Sequence, residues 1–259
     1  MSFATLMKSI QADSLKNNGG YVHYSQSIEP TRTLINMLPY TSGGICNALS
    51  AKWIEQHANG GSLWNWLFTP GTTNVQQAKI ANLMINFTES VVSGASDIDK
   101  SQGNHGMRQR IANRIVNKSA KKAFAGGDYQ EFVTDKYLAL YGIRRRRVAQ
   151  DIISGSIENC LSYGYGPKTA IQLAVRMDPK YMVTRSGTYA IINILGKAGG
   201  HAMAAWVGED VAFFDPNFGE FYFPKNADFQ KFFPTFWRKS GYESSFDRFC
   251  FFLYAKAVN

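Results

Sequence analysis

An α+β fold, helices first and an antiparallel sheet after, is what the sequence predicts, and three observations support it. From about residue 75 to 177, apolar residues recur three and four apart, the spacing of one face of a helix. After Lys180 the pattern changes to short β-type runs separated by brief turns. Ahead of both, the stretch "SGGICNALSAKWIEQHANGG" opens an amphipathic helix directly on a cysteine. Strands joined by short turns pair antiparallel, and a sheet that follows a run of helices buries one face against them.

Taken in order, residues 1–40 are rich in Ser, Asn and Thr with weak periodicity. They predict a loosely ordered leader with one short helix, a candidate secretion or translocation segment. The folded domain is expected over 41–259. Its first helix places Ile45, Ala48, Leu49 and Trp53 on one side, with Ser42 available as a cap and Gly60-Gly61 as a stop. The segments "VQQAKIANLMINFTESV", "HGMRQRIANRIVNKSAKKAF", "YQEFVTDKYLALYG" and "VAQDIISGSIENCLSYG" read as helices, and a helical insert is expected over about 90–165. The strands are expected in "GTYAIINILG", "GHAMAAWVG", "VAFFDP", "GEFYFP" and "RFCFFLYAKA". No internal repeat or low-complexity tract interrupts this order.

Composition limits what such a chain can be. With 259 residues, 45% hydrophobic and 14% aromatic, it can bury a real core. No apolar run approaches the roughly 18 to 20 residues a membrane-spanning helix requires, and Met1 to Gly20 lacks the apolar centre of a secretory signal. Three widely spaced cysteines, Cys46, Cys160 and Cys250, argue against a disulfide framework and for a reducing compartment. Cys160 and Cys250 fall in apolar patterns and are expected buried and inert. No Cys or His pair has the spacing of a zinc clip, so neither metal nor cofactor is expected.

Chemistry enters at Cys46. In the first turn of a helix, unsatisfied amide N–H groups and the positive end of the helix dipole favour thiolate over thiol. Of the histidines at 23, 57, 105 and 201, only His201 follows a Gly-Gly and begins a strand. If the next turn is Gly208-Glu209-Asp210, Val207 pairs with Val211, and His201 and Asp215 become diagonal neighbours on one face. A two-residue turn would put them on opposite faces. A thiolate at a helix start, a histidine on a sheet and an aspartate orienting it form the cysteine version of nucleophile, base and orienting acid.

The blocks "GGICNALSAKWI", "GGHAMAAW" and "FFDPNFGEF" resemble the YopT/AvrPphB family of bacterial effector cysteine proteases. The resemblance implies a papain-like fold, a helical part packed on an antiparallel sheet, with Cys46, His201 and Asp215 as nucleophile, base and orienting acid. It also implies delivery by a bacterium into the host cytosol, with the inner face of the plasma membrane as one place of action. The expected partner is a host signalling protein, either a prenylated Rho-type GTPase released from membranes or a kinase. Papain-like enzymes commonly complete the oxyanion hole with an amide side chain shortly before the nucleophile. The stretch "MLPYTSGGI" contains no Asn or Gln, which leaves Thr41, Ser42 or a residue from elsewhere as the second donor.

Two features have both a functional and a structural explanation. The net charge is +9, and the basic residues include the run Arg144, Arg145, Arg146 and Arg147 and the set Arg108, Arg110, Arg114, Lys118, Lys121 and Lys122. They form either a solvated face or a dock for anionic lipid, and no motif points to a specific nucleic acid. In "DFQKFFPTFWRKSGY", Phe232, Phe233, Phe236 and Trp237 are either core or the wall of a pocket for a prenyl chain. Two readings stand beside the protease: a glutamine deamidase or acyltransferase using the same triad, and a non-catalytic basic module for lipid or nucleic acid.

Overall fold

The five C-terminal runs of β-branched and aromatic residues form strands; the turns joining the first four are too short for anything but antiparallel pairing, and a helix separates the fourth from the fifth. The computed structural model describes residues 2–37, 45–87, 128–146, 161–162, 187–197 and 199–257. Its helices include α1 (Phe3–Lys16), α2 (Thr31–Met37), α3 (Cys46–Ala58) and α4 (Leu63–Leu67), followed by helical residues 77–87 and the helices Asp128–Ala139 and Asn226–Lys239. The strands are β1 (Gly20–Val22), β2 (Ile143–Arg145), β3 (Leu161–Ser162), β4 (Thr188–Gly196), β5 (Gly199–Val207), β6 (Val211–Asp215), β7 (Gly219–Phe223) and β8 (Arg248–Lys256). They lie in the order β1-β7-β6-β5-β4-β8-β2, with β3 also paired to β8, and every pairing is antiparallel.

Alternation along the strands divides the interior into two cores. On β8, Phe249, Phe251 and Leu253 face one core, while Cys250, Phe252 and Tyr254 face the other. The first core is covered by α1 and the helix Asn226–Lys239, which brings Phe229, Phe232, Phe233, Phe236 and Trp237 fully out of solvent. The four aromatics considered as a prenyl pocket are therefore closed core. The second core is covered by α3, α4, residues 77–87 and the helix Asp128–Ala139.

Phe213 lies at the centre of the first core, edge-on to Phe233 at 5.5 Å and to Phe236 at 5.5 Å and stacked on Phe221 at 6.0 Å. Its truncation leaves a void that three rigid rings cannot fill. Phe213→Ala is expected to lower stability by about 3 to 5 kcal/mol, read as a lower urea midpoint at unchanged slope.

Several expectations need correction. Residues 2–37 do not form a loose leader: Met7 and Ile10 of α1 are buried in the first core, and β1 pairs with β7 at the sheet edge. The periodicity there was weak because only one narrow stripe of α1 faces the core. Leu161–Ser162, at the end of an expected helix, is strand β3. Cys250 is disulfide-bonded rather than a free thiol, and Cys160 lies outside the described residues. Arg145 is held within the fold, its guanidinium 3.5 Å from Asp135 and stacked 5.0 Å from the ring of Phe252, while Arg144 is exposed on β2. Arg147, the basic set from Arg108 to Lys122 and most of the expected insert lie outside the described residues. No helix among the described residues is long and apolar enough to cross a membrane.

Candidate active site

The helix α3 starts at Cys46, one residue inside the expected boundary, because Ile45 occupies the N-cap position with φ −112° and ψ 17°. No side chain caps this end, and Ser42 lies outside the described residues. The first amides of the helix are thus not taken up by a capping side chain, and their dipole points at the cysteine. At the other end Gly60 adopts φ +72°, and the N–H groups of Gly60 and Gly61 bond the carbonyls of His57 and Gln56 in a Schellman stop. Between these ends Ala48 through Glu55 are buried without interruption, so α3 is a core helix rather than an amphipathic one.

A feature of the sheet brings α3 to His201. Strand β6 pairs with β5 only from Ala204 to Val207, so the first half of β5 has a free edge on that side. Helix α3 takes it. Ser50 Oγ donates to the Ala202 carbonyl at 3.2 Å, and the Ala202 N–H faces the sulphur of Cys46. The N–H of Asn47 faces the same sulphur.

The hairpin has the three-residue turn. Val207 pairs with Val211, the Gly208 N–H bonds the Asp210 carbonyl, and Asp215 comes within reach of His201 across the end of the ladder. His201 Nε2 lies 2.8 Å from Asp215 Oδ1. That leaves Nδ1 as the ring nitrogen that meets Cys46, with which His201 also shares a hydrogen bond. The imidazole is 7% exposed and Asp215 is fully buried. All three predicted site residues are therefore together.

Electrostatics at the site favour an ion pair. Burial pushes the Cys46 thiol up, but the His201 hydrogen bond and charge, with the N–H groups of Ala202 and Asn47, bring it below the ordinary cysteine value. Burial likewise pushes His201 down, and the charge and hydrogen bond of Asp215, with those of Cys46, outweigh it and raise the imidazole to about 10. Both shifts favour thiolate beside imidazolium over the neutral pair.

Further residues complete the site. Tyr242 donates its hydroxyl to Asp215 Oδ2 at 2.9 Å and packs its ring 5.6 Å from the imidazole. The backbone N–H of Asn217 donates to Asp215 Oδ1 at 2.8 Å. Asn217 stands two residues after the aspartate in "DPN", a spacing that signals a side chain accepting from its own turn. Tyr242 has no such local signal. Among the described residues, no cluster of three His, Cys, Asp or Glu side chains is placed to hold a metal ion.

Known proteins resemble this chain in sequence. A sequence model described as Yersinia/Haemophilus virulence surface antigen, Peptidase_C58, matches residues 183–252, the part that contains both His201 and Asp215. The cysteine protease yopT1 of Yersinia enterocolitica is 26% identical over 240 residues, covering 89% of this chain and 62% of its own length. The chain is similar to YopT-type cysteine proteases. The cysteine protease YopT of Yersinia pestis is 25% identical over 240 residues, again with 89% and 62% covered. The chain thus spans somewhat under two thirds of the length of these YopT relatives. Among solved structures, the Pseudomonas avirulence protein AvrPphB aligns with a TM-score of 0.43 at 14% identity, over 84% of this chain and 95% of that one. The fold is α+β: a helix that begins with a cysteine packs on an antiparallel sheet that supplies histidine and aspartate.

Proposed function

We propose that the protein is an effector thiol protease in which Cys46 is the nucleophile, His201 the general base and acid, and Asp215 the acid that orients it. The continuous hydrogen-bonded chain Cys46–His201–Asp215, with its thiolate–imidazolium electrostatics, is the observation that supports this reading. The sulphur attacks a peptide carbonyl carbon, and the oxyanion that forms is met by the Cys46 N–H at the uncapped helix start. His201 then gives its proton to the leaving amine, whose bond to carbon breaks to leave a thioester. Water loses a proton to His201 and attacks the thioester, releasing the new carboxyl end and the sulphur.

The proposed substrate class is the one the sequence resemblance implies: a host signalling protein, foremost a prenylated Rho-type GTPase at the inner face of the plasma membrane, with a kinase as the second class. The overall charge of +9 and the exposed Arg144 favour approach to an anionic surface, where a basic side chain contributes about 1 kcal/mol. Arg145 contributes less than the run suggests, because it is engaged with Asp135 and Phe252.

The test is the intact mass of prenylated Rho-type GTPases after incubation with the protein, beside a Cys46→Ala control. Loss of the lipid-bearing C-terminus with the active protein alone is the expected result. A gain of about one dalton identifies a glutamine deamidase instead, and a gain of an acyl group identifies an acyltransferase. An unchanged GTPase moves the search for new N-termini to host lysate, and a lysate with no Cys46-dependent cleavage retires the protease.

A further inference from the structure

Gln26, twenty residues before the nucleophile, is joined to both halves of the site. Its own N–H bonds the Pro216 carbonyl at 2.7 Å, seating it against the turn that follows Asp215. Its side-chain oxygen accepts the N–H of Ile45, the residue before Cys46, at 3.3 Å. Its side-chain nitrogen donates to Asn217 Oδ1 at 2.9 Å. Asn217 Nδ2 donates to the Tyr242 hydroxyl at 3.1 Å, and that hydroxyl donates to Asp215 Oδ2 at 2.9 Å. Gln26 is 7% exposed and Tyr242 6%, so both ends of the relay are shielded from water, while Asn217 between them is half-buried.

The direction of the relay is fixed at one end. A backbone N–H can only donate, so Ile45 obliges Gln26 to present its oxygen there and its nitrogen to Asn217. Asn217 must then present its oxygen to Gln26 and its nitrogen to Tyr242, which leaves the Tyr242 proton for Asp215. Ser27 Oγ, donating to Asn217 Oδ1 at 3.0 Å, reinforces the same orientation. The start of the nucleophile helix is thereby connected to the carboxylate that orients His201.

Resting on the protease reading above, we propose that Gln26 is a positioning residue: by reading the Ile45 N–H it sets the polarity of the Gln26–Asn217–Tyr242 relay and so fixes Asp215 against His201 in register with Cys46. The near-isosteric Gln26→Glu tests it. The introduced carboxylate still accepts from Ile45 but now faces Asn217 with an acceptor. Asn217 turns over, its oxygen takes the Tyr242 proton, and Asp215 Oδ2 loses its donor. Freed on that side, the carboxylate rotates away from the imidazole and the thiolate loses its partner charge.

The measurement is iodoacetamide alkylation of Cys46 across pH, which needs no substrate. The acid limb is expected to move up by about one unit, seen as about tenfold slower labelling at pH 6, in Gln26→Glu and in Tyr242→Phe alike. The double variant is expected to move no further than either single, because both break one relay. A Gln26→Glu profile superimposed on wild type overturns the proposal, as does an additive double variant. Should Gln26→Glu not fold, Asn217→Asp keeps the acceptor for Gln26, removes the donor to Tyr242 and is held to the same shift. A wild-type Cys46 that labels like an ordinary thiol would instead overturn the protease reading itself, and the relay's role with it.

Discussion

His201→Ala is expected to reduce cleavage of the substrate by on the order of 10^6-fold, Cys46→Ala by as much, and the double replacement by no more than either. In the proposed mechanism Cys46, His201 and Asp215 act as a unit. Without the imidazole, the thiol loses the hydrogen bond and charge that oppose burial most and keeps only the Ala202 and Asn47 N–H groups, so less of it is thiolate and the leaving amine has no proton donor. Without the sulphur, the imidazole has nothing to activate. The fold should survive both, because Asp215 keeps the Tyr242 hydroxyl and the Asn217 N–H as donors when His201 is gone. Single-turnover cleavage with far-ultraviolet circular dichroism of each variant makes the check. Losses that multiply in the double variant would mean that the two side chains serve separate steps.

Much of this arrangement was legible in the sequence, for reasons that can be named residue by residue. Strands β4 to β8 are consecutive or nearly so, and their runs of Ile, Val, Phe and Tyr broken by Gly and Pro carry their own boundaries. The His201–Asp215 contact followed from one hairpin once the three-residue turn was chosen, since register fixes every side chain at once. Cys46 announced itself by opening a helix.

Missing from that reading was whatever depends on distant segments or on the far side of a strand. Strand β1 is three residues long and exists because β7 offers an edge, so nothing local distinguishes it from loop. Gln26 lies 191 residues from Asn217, and Tyr242 lies 27 beyond Asp215 in a helical turn whose aromatics read only as core. The glutamine that contacts the Cys46 segment comes from the N-terminal part of the chain, where no local pattern singles it out. The cysteine count misled for another reason: an odd number leaves one thiol free, and Cys46 is that thiol while Cys250 is bonded.

Asp215→Asn is expected to cost about 10^4-fold in the cleavage rate while leaving both other catalytic groups in place. The Asn217 N–H and the Tyr242 O–H both converge on this side chain, and an amide has only one oxygen with which to receive them. Its NH2 group turned toward His201 favours the tautomer with a bare Nε2, which puts the proton on Nδ1, where the nitrogen should be receiving one from Cys46. The pH dependence gives a second, independent signature. In wild type the raised imidazole is charged up to about 10, so the ion pair persists from the lowered thiol value to that limit. A histidine raised above its unfolded value contributes stability that is complete below about 6.5 and is lost as pH rises through about 10. Removing the Asp215 charge leaves burial, which acts downward, opposed by Cys46 alone, so the alkaline limit falls and the ion-pair window narrows from above. Thiolate favoured by imidazolium also disappears earlier, so alkylation of Cys46 at pH 6 should slow toward that of an ordinary thiol. Iodoacetamide profiles of the two proteins from pH 5 to 10.5 measure both limbs. An alkaline limb still near 10 in Asp215→Asn would show that some other group maintains the imidazolium, and the orienting role would then pass from Asp215 to that group.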